Sequence, residues 1–280
     1  MTETASSSTT DHELSPELNA ISERLVTARA NGEALPGFPG TLPDNLLDAY
    51  AIQTASIARW PDEIVGWKVG MVPPEFRPAL GAKRLSGPIF ESSVVTVEPG
   101  STTTMPIFDG GFAAVEAEFV LRLGTTVHPT DKEFSDEELV DLVAALHVGA
   151  EIASSPMAVI NELGPVCVVS DFGNNAGLLL GPSVPNWSSL PTEALTASVS
   201  VDDVVVGAAT AGAIEDGLLQ PLRFLIRLCS ERGLVLPEGT LISSGAVTGI
   251  HDVVVSSKAH VDFGNFGAFN VAFEAKQASQ

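Results

Sequence analysis

The stretch Val115-Glu116-Ala117-Glu118-Phe119-Val120-Leu121 alternates apolar and acidic residues, which is typical of a β-strand. Side chains alternate between the two faces of a strand, so Glu116 and Glu118 are expected on one face, with apolar residues on the other. Two like charges side by side on so apolar a strand are costly unless a cation lies between them. The pattern therefore predicts either a cation site or an amphipathic strand whose acids face solvent.

A third carboxylate favours the cation site. Glu151 lies in the run His147-Val148-Gly149-Ala150-Glu151-Ile152-Ala153, which is otherwise nearly free of charge. Three carboxylates with water form the hard-oxygen ligand set that Mg²⁺ or Mn²⁺ prefers, whereas zinc usually recruits histidine or cysteine. The histidines are scattered and include no ligand-spaced pair. We therefore expect Glu116, Glu118 and Glu151 to hold Mg²⁺ or Mn²⁺.

Lys68 is the second candidate, within Val65-Gly66-Trp67-Lys68-Val69-Gly70-Met71. Lysine is scarce in this chain, and glycines near it permit close approach of a ligand to the backbone. A half-buried lysine beside a metal could bind a substrate carboxylate or move a proton. The alternative is a lysine whose ammonium reaches solvent from a strand edge.

Two loops are weaker candidates. The segment Ser170-Asp171-Phe172-Gly173-Asn174-Asn175-Ala176-Gly177 has strong turn chemistry and could also supply amide groups and one acid to a pocket. The segment Ser243-Ser244-Gly245-Ala246-Val247-Thr248-Gly249 could cradle a carboxylate with backbone amides or be only a tight turn. It has no Walker or dinucleotide-binding context, which argues against a nucleotide site.

Charge and composition exclude several classes of partner. The 280 residues include 14 Lys and Arg against 35 Asp and Glu, a formal net charge of −21. Such a chain is repelled by nucleic acid and by anionic membrane surfaces. Cys167 and Cys229 both lie in apolar runs, which predicts buried thiols rather than a disulfide framework.

The organisation along the chain predicts an α+β protein. Residues 1–13 contain no Lys or Arg and no apolar stretch, so we expect a disordered tail rather than a signal peptide, and a cytoplasmic location. Residues 14–61 form a helical N-terminal segment, interrupted by a Gly/Pro-rich link at 32–43. Residues 62–276 form a β-rich catalytic domain, and so many strands with few helices between them argue against Rossmann and TIM-barrel folds.

Several elements of the β-rich part can be assigned individually. A capping box at Ser135 predicts a helix that continues through Leu139–Leu146, and a second helix is expected over Leu218–Arg232. Short apolar or alternating runs predict the strands Ile64–Val69, Ile89–Val97, Val115–Leu123, Val148–Ala153, Val166–Val169, Leu195–Val206, Val253–Val255 and Phe269–Phe273.

These pieces, in order, resemble the 2-oxopent-4-enoate (2-keto-4-pentenoate) hydratase family of the fumarylacetoacetate hydrolase superfamily. The matching segments span about residues 42–273 and are Asp48-Ala49-Tyr50-Ala51-Ile52-Gln53, Gly66-Trp67-Lys68-Val69-Gly70, Glu116-Ala117-Glu118, Glu151 and Ser244-Gly245-Ala246. The resemblance implies a β-rich roll of mixed sheets with a helical N-terminal segment. It also implies Mg²⁺ or Mn²⁺ on the three glutamates, Lys68 in the pocket, a role in aromatic catabolism and a homo-oligomer.

The sequence also departs from that family. Leu85 stands where many of the hydratases carry an acid, and the segments Ser170–Asn175 and Asp216–Leu222 differ from the usual motifs. The chain is therefore expected to be a divergent member whose metal site carries over better than its exact reaction.

The function expected from this resemblance is a metal-dependent hydratase. It would add water to a 2-hydroxy-alka-2,4-dienoate to give a 4-hydroxy-2-oxo acid. Lys68 would neutralise the substrate carboxylate or relay a proton, and Asp171 would activate the water because Leu85 cannot. The residues expected to bind substrate are Gly70, Asn175, Ser244 and Gly245.

Three alternatives stay open. A 2-oxo-3-enedioate decarboxylase would use the same metal chemistry to lose CO₂. An acylpyruvate-type C–C hydrolase needs a base, often a His/Glu pair on a lid, and no such motif precedes Lys68. A non-catalytic paralogue would bind the metal and a 2-oxo acid without turnover.

Overall fold

The computed structural model describes residues 14–278, so the predicted disordered tail at 1–13 lies outside the described residues. Every helix of the described chain falls short of the length and apolar character that a membrane span requires. The α-helices in residues 14–278 are α1 (Pro16–Asn31), α2 (Leu46–Arg59), α3 (Arg77–Leu80), α4 (Asp136–Leu142), α5 (Ile160–Leu163), α6 (Pro165–Ser170) and α7 (Gln220–Glu231).

Strands make up most of the rest. They are β1 (Ile64–Met71), β2 (Arg84–Phe90), β3 (Val94–Thr96), β4 (Thr102–Ile107), β5 (Phe112–Leu123), β6 (Val143–Ser155), β7 (Asn175–Ser183), β8 (Thr196–Val201), β9 (Val204–Thr210), β10 (Leu241–Ser243), β11 (His251–Asp252), β12 (Lys258–Asp262) and β13 (Ala268–Ala275).

The strands form two mixed sheets, as expected for the α+β class. The larger sheet has the order β2-β1-β10-β5-β6-β7-β3, with β11 paired to β5, and the smaller sheet has the order β4-β13-β12-β8-β9. The pairs β1–β10, β3–β7 and β4–β13 are parallel and the other pairs are antiparallel. Strands distant in sequence are therefore neighbours. Strand β10, near the end of the chain, lies between β1 and β5 and pairs with both.

Strand β5 has the two faces that its sequence predicts. Val115, Ala117 and Phe119 are buried in the main hydrophobic core, which also takes in residues of the smaller sheet. The Phe119 and Phe263 rings pack edge to face with centroids 5.5 Å apart. Glu116 and Glu118 project from the opposite face, so the acids of β5 lie away from this core.

The N-terminal helices begin at ordinary caps and pack on the β-rich part. The Ser15 hydroxyl caps α1, where Pro16 follows, and the Asn45 side chain caps α2. Their apolar residues enter a second core together with Leu85 of β2 and residues of α5 and α6. These apolar faces are used within the chain itself. The expected homo-oligomer stays a prediction, which a monomeric mass by light scattering at micromolar concentration would contradict.

Three of the predicted strands need correction. Val166–Val169 is helical in α6, because Pro165 fits the first turn of a helix and a buried helix satisfies its own backbone. Val253–Val255 is irregular chain after β11 in which a turn begins at Val255, and Leu195–Val206 is a hairpin of two strands that turns at Asp202 and Asp203, both with positive φ. The runs at Val166–Val169 and Val253–Val255 are too short for periodicity to identify, and in Leu195–Val206 the turn at Asp202-Asp203 was not recognised.

Other boundaries also differ. The predicted strand Ile89–Val97 is split by a 3₁₀ turn at Glu91–Ser93. The Ser135–Glu138 capping box forms as expected, but α4 ends at Leu142 because the next thirteen residues join β6. Helix α7 ends close to its predicted boundary, with Gly233 in the left-handed conformation just beyond. Both cysteines are buried and unpaired, as predicted.

Candidate metal and substrate site

The register of β5 and β6 brings the three predicted ligands together. Glu116 pairs directly with Glu151 across the antiparallel ladder, and Glu118 pairs with Gly149. Directly opposed residues share a face, so all three carboxylates project to the same side of the sheet. One oxygen from each carboxylate lies within 4.8 Å of the others, and all three side chains are buried. This is the geometry of a cation site.

Glu118 is the most constrained of the three. Its Oε2 accepts hydrogen bonds from the Ser243 hydroxyl and, at 3.0 Å, from the Gly245 amide. Its Oε1 is buried with no hydrogen-bond partner among the described residues. A buried carboxylate oxygen without a partner is strongly unfavourable in the absence of a cation. The donor set and this orphaned oxygen fit Mg²⁺ or Mn²⁺.

The small-residue loop after β10 does bind a carboxylate, as one of its two interpretations predicted. That carboxylate belongs to Glu118, which the Gly245 amide and Ser243 hold. The Ser244 hydroxyl accepts from the Phe119 amide and so fixes the loop to β5. Ser244 and Gly245 also line the adjoining cavity, and their predicted contact with substrate stays a prediction.

Nearby positive charge would stabilise the three buried carboxylates in their ionised form. Burial, with the neighbouring charge of Glu151, raises the pKa of Glu116 to about 8. Burial and the charges of Glu151 and Glu116 raise the pKa of Glu118 well above its usual range. Without a metal the cluster therefore retains protons near neutral pH, and a dication would displace them.

Lys68 supplies one positive charge at this site. Its Nζ donates to Asn174 Oδ1 at 3.1 Å and lies 3.6 Å from Glu151 Oε1. Burial opposes the charged form of Lys68, but the three glutamates outweigh it and raise the pKa of the ammonium. Lys68 therefore points into the glutamate cluster, as predicted. The alternative, in which its ammonium reaches solvent, is wrong.

The glycines beside Lys68 have two different roles. A Cβ on Gly70 would lie 3.4 Å from Lys68 Nζ, so Gly70 leaves room beside the ammonium. A Cβ on Gly66 would lie only 2.6 Å from the Leu241 carbonyl oxygen, so Gly66 allows β1 to approach β10. Gly70 also lines the cavity, and its role in substrate binding stays a prediction.

The Asn174–Asn175 pair positions the charged groups. Asn175 Nδ2 donates to Glu151 Oε1 at 3.0 Å, so this predicted substrate-binding residue instead holds a candidate metal ligand. Asn174, which the sequence did not single out, holds Lys68 and lines the cavity. Its backbone is left-handed at φ 56°, a conformation that asparagine tolerates and that turns its side chain toward β1.

Asp171 lies outside the cavity lining. Its carboxylate is bound on both oxygens by Arg29 of α1, at 2.5 and 3.0 Å, and Oδ2 also accepts from the Ser155 hydroxyl at 2.6 Å. The Arg29 guanidinium donates as well to the carbonyl oxygens of Ser154, Asp171 and Asn175. This buried ion pair joins the N-terminal helix to the strands behind the site, and it leaves Asp171 no free oxygen for a water.

A cavity of about 510 Å³ opens beside the cluster. The residues that line it include Lys68, Glu116, Asn174, Leu85, Arg77 and Arg84. Among the described residues, no histidine lines it, and its acidic lining residues are Glu116 and Glu215. Glu215 is bound on both oxygens by Arg77 at 2.9 Å.

Comparison with known proteins gives the fold. No protein-family model and no curated protein sequence matches the chain. Two structures of 4-oxalocrotonate decarboxylase from Pseudomonas putida G7 are similar over nearly the whole length of both chains. The structure with calcium and acetate has a TM-score of 0.74 at 20% identity, covering 92% of this chain and 97% of that chain. The structure with magnesium and adipate has a TM-score of 0.75 at 19% identity, covering 91% and 97%.

A more distant match is fumarylpyruvate hydrolase from Pseudomonas aeruginosa, in complex with Mn²⁺ and pyruvate. Its TM-score is 0.55 at 15% identity, covering 78% of this chain and 91% of that chain. The fold is therefore the fumarylacetoacetate hydrolase type with N-terminal helices, as expected from the sequence.

Proposed function

We propose that this chain is a divalent-metal-dependent enzyme that acts on a 2-oxo acid, and that its reaction is the decarboxylation of a 2-oxo-3-enedioate. The observation that carries the proposal is the buried cluster of Glu116, Glu118 and Glu151, with the unpartnered Oε1 of Glu118, beside Lys68 at a cavity of about 510 Å³. Such a cluster of perturbed titratable groups in a cavity is typical of an active site.

The three glutamates would hold Mg²⁺ or Mn²⁺, which supplies Lewis-acid stabilisation of negative charge on the 2-oxo oxygen. Ser243, Gly245 and Asn175 orient two of the ligands through hydrogen bonds. Supporting contacts of this kind tune the affinity of a metal site. The ammonium of Lys68 then offsets the negative charge that the substrate adds to the cluster.

In the reaction the bond to the far carboxylate breaks and CO₂ leaves. The bonding electron pair moves through the conjugated double bond to the 2-oxo oxygen, which gives a dienolate. Lys68, held by Asn174 at 3.1 Å, is the group in the cavity that can donate a proton to this dienolate, giving the 2-hydroxydienoate. Solvent returns the proton to Lys68 after the product leaves.

Decarboxylation is favoured over the hydration expected from the sequence. Hydration needs a group that activates water, and Leu85 is apolar while Asp171 is engaged by Arg29 and Ser155. Glu215, the other acid of the cavity, is engaged by Arg77. Decarboxylation needs only an electron sink and a proton donor. The likeness in fold to 4-oxalocrotonate decarboxylase over most of both chains supports the same choice.

The remaining alternatives have less support. A C–C hydrolase of the acylpyruvate type needs a base for water, and the cavity lining includes no histidine among the described residues. A non-catalytic paralogue would use Lys68 only to bind a carboxylate, and it would bind the metal and the 2-oxo acid without releasing CO₂. We infer from the family that the sequence resembles that the substrate arises in aromatic catabolism.

A panel of substrates tests the proposal. Purified protein with Mg²⁺ is assayed for CO₂ release and dienol absorbance from 2-oxohex-3-enedioate, for loss of dienol absorbance from 2-hydroxypenta-2,4-dienoate, and for pyruvate release from fumarylpyruvate. We expect Mg²⁺-dependent CO₂ release that Glu116→Gln abolishes. Turnover of the dienoate without CO₂ release from the enedioate would instead identify a hydratase, and pyruvate release would identify a hydrolase.

A further inference from the structure

Arg84 is a buried cation that the reaction described above does not use. It is 5% exposed, lies at the start of β2 and lines the same cavity as Lys68 and Glu116. Its guanidinium donates one hydrogen bond, to the backbone carbonyl oxygen of Glu215. Arginine carries five N–H donors, and no carboxylate of the described chain forms an ion pair with this one.

The charges around Arg84 leave it as a surplus cation. Arg77 is paired with Glu215, with N–O distances of 2.9 Å, and Lys83 lies 3.2 Å from Asp216. These two cations balance these two acids, so the charge of Arg84 is uncompensated. Burial lowers the pKa of Arg84, and the charges of Asp216 and Glu215 offset this only in part. A buried cation without a paired carboxylate is costly, because no partner charge offsets its desolvation.

The position of Arg84 along the sheet suits a ligand that spans the cavity. In the β1–β2 register Lys68 pairs with Gly87 and Met71 pairs with Arg84, so the two basic residues are offset by three positions. Because this offset is odd, Arg84 leaves the backbone on the opposite pleat from Lys68, and it reaches the cavity at the end of the strand, where Met71 and Leu85 also line it. Three strand residues cover about 10 Å between backbone positions, which is comparable to an extended dicarboxylic acid of about six carbons with a hydrogen bond at each end. Arg84 also borders an adjoining polar groove of about 560 Å³, so it lies where the cavity meets solvent.

We propose that Arg84 binds the far carboxylate of a dicarboxylic 2-oxo acid whose 2-oxo end lies at Glu116, Glu118 and Glu151. The inference rests on the proposed function and assigns to it a residue that selects the substrate. A guanidinium fork binds a carboxylate through two parallel hydrogen bonds and so fixes its plane. This orientation matters for decarboxylation, because the breaking bond has to stand perpendicular to the conjugated system that receives its electrons.

Two matched ligands test the role of Arg84. 2-Oxohexanedioate and 2-oxohexanoate have the same chain length and 2-oxo acid end, and they differ in the far carboxylate. Their affinities are measured by calorimetry on the full chain with saturating Mg²⁺. Hydrogen bonds to charged groups are worth about 1.5–3 kcal/mol, so we expect the wild-type protein to prefer the diacid by about 10- to 100-fold.

Arg84→Met should abolish this preference and leave the affinity for 2-oxohexanoate within about twofold, which shows that the site is still folded. Arg84→Gln keeps a donor for the Glu215 carbonyl and provides the same test if Arg84→Met does not fold. Lys83→Met is the matched control, since it removes one positive charge from the adjacent, largely exposed residue, and it should retain the preference.

The possible failures are distinguishable. Equal affinity of the wild-type protein for both ligands, or an undiminished preference in the Arg84 variants, would overturn the role of Arg84 and leave the proposed function standing. If neither ligand binds the Mg²⁺-loaded protein, the proposed function fails and the inference fails with it.

Discussion

Glu116 on β5 lies directly opposite Glu151 on β6, and both carboxylates are buried on the same face of the larger sheet. Opposed like charges destabilise a sheet, and burial increases the cost. The next pair on this face is Glu118 with Gly149, and a Cβ on Gly149 would lie 2.7 Å from the Leu179 carbonyl oxygen. The two strands thus concentrate negative charge where a divalent cation would stabilise it.

Glu118→Gln separates metal binding from folding. The neutral side chain removes a ligand charge, so the affinity for Mg²⁺ should fall about 100-fold or more. In the metal-free protein burial keeps Glu118 protonated near neutral pH, and glutamine avoids the cost of that protonation, so the melting temperature should rise. Calorimetric titration with Mg²⁺ and thermal denaturation measure the two effects. Glu231→Gln on the surface of α7 is the matched control and should change neither. Undiminished Mg²⁺ affinity in Glu118→Gln would remove Glu118 from the site.

The raised pKa of Glu116 predicts a pH dependence of the metal-free protein. Its pKa is about 8 in the folded state against 4.5 as an ordinary glutamate, so the folded chain binds more protons between these values. The free energy of unfolding should therefore fall as the pH rises from about 5 to about 8, because ionisation costs more in the folded state. Mg²⁺ binding requires ionised ligands, so the stabilisation by Mg²⁺ should increase over the same range. Denaturation at several pH values with EDTA or Mg²⁺ measures both trends, and a metal-free stability that rises with pH would be the opposite result.

Lys68→Met should impair turnover far more than metal binding. The ammonium is 3.6 Å from Glu151 and is not a metal ligand, so its loss should leave Mg²⁺ affinity equal or higher. We expect kcat/KM to fall by about 100- to 10,000-fold, as for loss of a general acid. Lys68→Arg should not restore activity, because a guanidinium is a much weaker acid than an ammonium. Steady-state kinetics beside Mg²⁺ titration check this, and a near-wild-type kcat/KM for Lys68→Met would exclude the role.

Asp171→Asn tests whether Asp171 is structural or activates water. The substitution leaves Arg29 buried without its charged partner, which should cost about 3–5 kcal/mol of stability. Because Asp171 is bound by Arg29 and Ser155 away from the cavity lining, kcat of the folded variant should stay within about threefold of wild type. Urea denaturation and kinetics measure the two quantities. A stable variant with kcat reduced by orders of magnitude would restore Asp171 to the reaction.

The strongest sequence signals were those in which local pattern and chemistry agree. The alternation of Val115–Leu121 predicted the two faces of β5, and the isolated acid Glu151 predicted its inward orientation. The capping box at Ser135 predicted the start of α4, since a cap needs only residues three or four positions apart. The strand predicted at Val166–Val169 is wrong, because a short apolar run is as typical of a buried helix as of a buried strand.

Other parts of the site depend on pairings between distant segments. Arg29 and Asp171 are separated by 142 residues. Arg84 differs from the basic residues near it in having no carboxylate partner among the described residues, and only the tertiary structure shows this. Asn174 and Asn175 are adjacent in sequence and differ in partner because Asn174 has a left-handed backbone. Such relationships follow from the tertiary fold, so composition and spacing gave no signal for them.

The most direct test of the account is a crystal structure with Mn²⁺ and 2-oxohexanedioate, with the metal located by its anomalous scattering. We predict one strong Mn²⁺ peak bonded to an oxygen of each of Glu116, Glu118 and Glu151, with the 2-oxo acid end of the ligand completing its coordination. A peak bound elsewhere, or no peak at the three glutamates when the metal is saturating, would contradict the account.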